Sequence, residues 1–113
     1  VAITAEYRAY IEERLGAVVP ITSKSMFGGL GIYSNGLFFA LADDDRLYFK
    51  VDDTNRGDFE SAGTGPFIPW DGAKPMGYYE LPAGLLDRPS ELAVWVDKAL
   101  GVAERAAQKK RRR

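Results

Sequence analysis

The sequence predicts an α+β fold: a curved antiparallel meander flanked by an N-terminal and a C-terminal helix. Three observations predict it. Between Met26 and Val51, three apolar runs are separated by two turn signals, Asn35-Gly36 and Asp43-Asp44-Asp45. On either side of the strand candidates, apolar residues recur at three- and four-residue spacing, from Tyr7 to Val18 and again from Leu92 to Leu100. No internal repeat and no long linker divides the 113 residues, which suit one domain.

Ala5 to Leu15 suits a first helix. Thr4 can cap it, and Tyr7, Tyr10, Ile11, Leu15 and Val18 share one face. Gly16 and Pro20 stop it. Ile21 to Phe27 alternates weakly and is expected to be a first strand. Leu30 to Tyr33 leads into Asn35-Gly36, two residues tolerant of the positive φ that a tight hairpin needs. Leu37 to Ala42 is the return strand, and the Asp triplet makes the next turn. Leu47 to Val51 follows, with Leu47, Phe49 and Val51 on one face and Tyr48 and Lys50 on the other.

Asp52 or Asp53 is expected to cap a short helix from about Thr54 to Ala62, anchored by Phe59 and ended by Gly63-Thr64-Gly65-Pro66. Phe67 to Trp70 reads as a short edge strand and Met76 to Leu81 as the last strand, with Tyr78 and Tyr79 facing opposite ways. Asp87, with Pro89 in the first turn, opens a final helix whose stripe is Leu92, Trp95, Val96, Ala99 and Leu100. Gly101 either ends this helix or loosens it, and Ala103, Ala106 and Ala107 can carry it further. Residues 1–108 then form the domain. Lys109 to Arg113 is a basic tail with nothing to bury, expected to be mobile.

Composition narrows the function classes. There is no cysteine, which fits a reducing compartment, and no apolar run reaches the length of a bilayer span. The N-terminus lacks the basic and apolar regions of a signal peptide, so the expectation is a cytoplasmic protein with no membrane partner. The net charge of −1 hides an asymmetry: without the last five residues, 10 basic side chains face 16 acidic ones. The body is acidic and the tail basic, a division typical of an interaction tail.

The motifs favour shape over chemistry. Gly28, Gly29 and Gly31 resemble part of a phosphate loop, but a dinucleotide fingerprint needs a helix directly after the glycines, and here Ile32-Tyr33 and a hairpin follow. They read better as residues that permit a bulge, a twist or close backbone approach. The acidic triplet lacks the alternate acids of a calcium loop. There is no histidine to serve as a general base, and the serines have no evident activating partner. No catalytic residue, metal ligand or cofactor is assigned. Lys50, set between Phe49 and Val51, becomes reactive only if its face is buried; a lysine on the solvent face of the sheet, or paired with one of the nearby acids, is the preferred reading. The aromatic residues of the strands suit core packing and a dimer surface, and Phe27, Gly28, Gly29, Lys50, Tyr78 and Tyr79 are the candidate interaction residues. Lys109, Lys110, Arg111, Arg112 and Arg113 are the candidate nucleic-acid contacts, able to give weak, salt-sensitive binding.

Several stretches in order resemble one known family. Met26-Phe27-Gly28-Gly29-Leu30-Gly31-Ile32-Tyr33, Gly36-Leu37-Phe38-Phe39-Ala40-Leu41 and Leu47-Tyr48-Phe49-Lys50-Val51-Asp52 are similar to the TfoX N-terminal domain family. Gly65-Pro66-Phe67, Met76-Gly77-Tyr78-Tyr79-Glu80-Leu81-Pro82 and Leu92-Ala93-Val94-Trp95 continue the resemblance, which covers about residues 5 to 100. It implies a fold similar to the secretion-chaperone-like class. It also implies a link to bacterial competence and transcription regulation, since the namesakes, TfoX or Sxy, regulate competence genes with the cyclic-AMP receptor protein. Those namesakes carry a further C-terminal domain where this chain has its basic tail. The resulting expectation is a non-enzymatic regulatory or protein-interaction domain, its partner a component of the transcription machinery or a second copy of itself. The alternatives are an accessory nucleic-acid binder acting through the tail, and a small-ligand or enzymatic module centred on Lys50.

Overall fold

The computed structural model describes residues 3–26, 28–69, 72 and 77–111. Helix α1 spans Ala5–Gly16, followed by strands β1 (Thr22–Met26), β2 (Gly29–Ser34), β3 (Leu37–Asp43) and β4 (Arg46–Lys50). Helix α2 (Arg56–Ser61) and strand β5 (Tyr78–Glu80) come next, then a single 3-10 turn at Leu85–Asp87 and helix α3 (Pro89–Arg111). The five strands form one open antiparallel sheet in the order β1-β2-β3-β4-β5. The expected α+β meander with N- and C-terminal helices is what the chain forms.

Local chemistry sets most of these elements. The Thr4 hydroxyl accepts from the Tyr7 amide at 3.1 Å, capping α1. Asn35 and Gly36 both have positive φ, 50° and 80°, as a tight hairpin between twisted strands requires. Asp44 and Asp45 do the same between β3 and β4, at 53° and 54°. One extra residue bulges out of β3: Ile32 pairs with Ala40 while Tyr33 pairs with Phe38, so Phe39 stands between them. That bulge turns Phe39 inward beside Ala40, and both are fully buried. The bulge therefore falls on β3 and not on the glycines.

The core lies on one face of the sheet. Register places Leu30 opposite Ala42, Ala42 opposite Leu47, and Ala40 opposite Phe49. These residues form one buried cluster with Ile11 and Leu15 of α1, Phe59 of α2, and Leu92, Val96, Ala99 and Ala103 of α3. Each large apolar side chain removed from water here contributes roughly 1.5–3 kcal/mol. Polar ties hold α1 from its interior turns. Glu12 accepts from the Ser23 hydroxyl at 2.5 Å and from Arg8 Nε at 3.1 Å. The Tyr10 hydroxyl donates to Asp87 at 2.7 Å.

Four expectations are corrected. Phe67 to Trp70 is not a strand across the described residues 67–69; Trp70 lies outside the described residues. Pro66 makes a single bridge to Tyr79, and the Phe67 amide donates to the Tyr78 carbonyl at 2.7 Å. Pro66 and Pro69 lack the N–H groups that a longer ladder needs. Neither Asp52 nor Asp53 caps α2: Asn55 takes that position, without a side-chain capping bond. Asp87 lies in the 3-10 turn, with Tyr10 and Arg14 on its carboxylate. Finally, α3 runs through Gly101 to Arg111, so Lys109, Lys110 and Arg111 form its last turn, where basic side chains favour the helix dipole.

Candidate interaction face

The face of the sheet opposite the core has its own side-chain set. Lys24 is opposite Gly31, Gly31 opposite Leu41, Leu41 opposite Tyr48, and Tyr48 opposite Glu80. Tyr33, Phe38, Lys50 and Tyr78 share this outer face. Tyr48 and Tyr78 are 9% and 6% exposed yet stand outside the main core cluster. The buried helical side chains named above all join the inner cluster. Phe67 lies against this face, its ring centre 4.8 Å from that of Tyr48.

These side chains form a ladder across the sheet. The Lys24 ammonium sits 5.2 Å from the centre of the Tyr33 ring. Tyr33 stacks on Phe38 at 5.0 Å, and Phe38 meets Tyr78 at 5.7 Å. The Lys50 ammonium stands 5.0 Å from the Tyr78 ring and donates to its hydroxyl at 3.3 Å. Both cation–ring contacts are in the attractive range for a cation over an aromatic face.

Close backbone approach explains two of the glycines. A Cβ on Gly31 would collide with the end of the Met26 side chain, and one on Gly29 with the Ala42 carbonyl oxygen. Gly31 thus leaves room for Met26 and Phe38 to pack on the outer face.

The exit of β4 is fixed by Asn55, which is 2% exposed. Its amide donates to the Lys50 carbonyl at 3.1 Å, and its oxygen accepts from the Asp52 amide at 2.9 Å. Asp52 in turn accepts from the Thr54 amide and hydroxyl and pairs with Arg105 of α3 at 3.1 Å. Burial works to raise the Asp52 pKa, but the bonds from Thr54 and Arg105 prevail and hold it below the usual value. The Arg105–Asp52 pair pins the last part of α3 beside Lys50. Burial lowers the Lys50 pKa, and the positive charge of Lys110 lowers it further. Burial also pushes the Tyr78 phenol up to about 12, so it meets Lys50 as a neutral hydroxyl at ordinary pH.

The sequence-predicted residues separate accordingly. Lys50 and Tyr78 meet on the outer face, and Lys110 comes within electrostatic reach of Lys50. Lys109 is exposed on the same last turn, and Arg111 pairs with Glu104 at 3.8 Å. Gly28, with a φ of 80°, is exposed in the turn before β2, and Gly29 is half-buried opposite Met26. Tyr79 turns to the inner face, 5.9 Å from the Phe59 ring. Phe27, Arg112 and Arg113 lie outside the described residues. The face also contains Lys24, Tyr33 and Phe38, absent from the sequence candidates. Alternation with Ser23 and Ser25 already put Lys24 on a different face from those serines.

A cleft of about 200 Å³ lies elsewhere, among Tyr7, Tyr10, Asp45, Arg46, Glu80 and Pro82. It is smaller than the roughly 300 Å³ at which ligand pockets begin. Its Arg46 is paired with Glu80 at 3.5 Å, and burial, then the charge of Asp45, pushes the Tyr7 phenol up to about 12. No helix among the described residues is long and apolar enough to cross a membrane.

Comparison with curated proteins finds no match. The family model described as the TfoX N-terminal domain matches residues 13–103. That span takes in the whole sheet, both faces and most of α3. The chain belongs to the TfoX N-terminal domain family.

Proposed function

We propose that this domain is a non-enzymatic regulatory module that works by binding a partner protein through the outer face of its sheet. The observation that carries this reading is the two-sided sheet. The inner face is consumed by three helices, whereas the outer face holds a ladder of three aromatic rings ended by two lysines. Family membership supports a role in competence or transcription regulation, with a transcription component as partner. The absence of histidine and cysteine from the sequence and the neutral hydroxyl beside Lys50 favour binding over catalysis. The test is cross-linked capture with the wild-type domain, Phe38→Ala, and the exposed α3 control Val94→Ser. Support requires one reproducible partner that Phe38→Ala loses and Val94→Ser keeps. Equal recovery by all three proteins defeats the reading.

A second reading, accessory nucleic-acid binding, is favoured by the ordered basic turn at Lys109–Arg111. A DNA titration at two salt concentrations, with and without residues 109–113, tests it. Unchanged binding after deletion removes it.

A further inference from the structure

We propose that the partner segment received by the outer face is an acidic, extended stretch of protein, laid along the ladder from Lys24 to Lys50 and on towards Lys110. This inference rests on the reading above and gives the chemistry of the partner.

Among the described residues, every arginine has a carboxylate within 4 Å, and Lys98 pairs with Asp58 at 2.8 Å. Lys24, Lys50, Lys109 and Lys110 make no such pair there. On a chain with 16 acidic residues, unpaired cations are the exception. Two of these four stand on the outer face, and a third acts on Lys50 from the end of α3. Lys24 and Lys50 at the two ends of the ladder, with Lys110 acting on Lys50, are complementary to a row of carboxylates.

Two other occupants fit less well. A second copy related by a twofold axis would set lysines against lysines. A single strand of nucleic acid needs ring faces on which bases stack. Here Tyr33 has Lys24 over it and Phe38 stacked against it, and Tyr78 has Lys50 over it. A long polyanion would also meet the acidic remainder of the body, which a short peptide avoids.

The experiment uses three labelled probes: a twenty-residue peptide alternating Glu and Thr, the same peptide with Gln for Glu, and a twenty-nucleotide single strand. Each is titrated by fluorescence anisotropy at low and moderate salt. The proteins are wild type, Lys24→Gln/Lys50→Gln, Lys109→Gln/Lys110→Gln, and Lys24→Gln alone. The last lies on an exposed edge strand, so it keeps the test readable if the Lys50 change impairs folding. Support is binding of the Glu peptide that weakens with salt and falls about tenfold in each double variant. The inference is overturned if the Glu peptide does not bind, if the Gln peptide binds equally, if the lysine changes leave affinity unaltered, or if the single strand binds more tightly. Failure here, with partner capture still lost in Phe38→Ala, sinks the acidic partner and leaves the face reading standing. Capture retained in Phe38→Ala sinks both.

Discussion

The Lys50 ammonium stands over the Tyr78 ring, 5.0 Å from its centre, and donates to its hydroxyl at 3.3 Å, although the two residues are 28 apart in sequence. The pairing of β4 with β5 places them directly opposite one another. Burial shifts both titrations, with opposite effects on stability.

Lys50 has a folded pKa below its ordinary 10.5, chiefly from burial and then from Lys110. Between the folded value and 10.5 the unfolded chain holds more protons, so stability rises with pH across that window. Lys50→Met is expected to flatten this rise in denaturant melts taken at successive pH values. Lys110→Gln is expected to move the Lys50 titration, followed by NMR, only part of the way back, because burial is the larger cause.

Tyr78 keeps its proton to about 12 when folded, against 10.0 in the unfolded chain. Between those values the unfolded state loses protons first, so stability falls as pH rises. The full effect of two pKa units is at most about 2.7 kcal/mol. Alkaline absorbance titration should show one late-ionising phenol that disappears in Tyr78→Phe, and the alkaline loss of stability should shrink with it.

Gly29→Ala and Gly31→Ala should differ in severity. A Cβ at 29 meets the backbone carbonyl of Ala42, which cannot move without disturbing the β2–β3 ladder. A Cβ at 31 meets the flexible end of Met26 and, at 3.3 Å, the Phe38 ring. We expect Gly29→Ala to lose about 2 kcal/mol or more and Gly31→Ala to lose less. Met26→Ala should partly rescue the second variant and not the first, as read from thermal unfolding.

Asn55→Ala removes both side-chain bonds at the exit of β4 and leaves the Lys50 carbonyl and the Asp52 amide without that partner. A loss of about 1–3 kcal/mol is expected. Asn55→Asp keeps an acceptor for Asp52 but loses the donor to Lys50, so it should recover only part of the stability. Equal stability of wild type and Asn55→Ala would show that the two bonds contribute nothing.

The elements governed by neighbouring residues were legible. Thr4 and the helical spacing of Ile11 and Leu15 announced α1, and Asn35-Gly36 and the Asp triplet marked the two hairpins. The opposite facings of Tyr78 and Tyr79 followed from strand alternation. Less legible were features that depend on a competing partner. Asp52 looked like a helix cap, but Arg105, 53 residues away, and the Thr54 turn claim its carboxylate. Lys109 to Arg111 looked like a loose tail because no single residue there prefers burial; α3 reaches them because it is already anchored by Leu92, Val96 and Ala99.

By itself the sequence determined the meander, its terminal helices and its family, because periodicity, turn residues and ordered motifs are local properties of the chain. Only the tertiary structure decided which side chains share the outer face. Lys24, Tyr33, Phe38, Lys50 and Tyr78 come from five strands, and the bulge at Phe39 sets the register between two of them. Strand pairing joins residues that no sequence window contains, and a shift of one position would send each of these side chains to the opposite face.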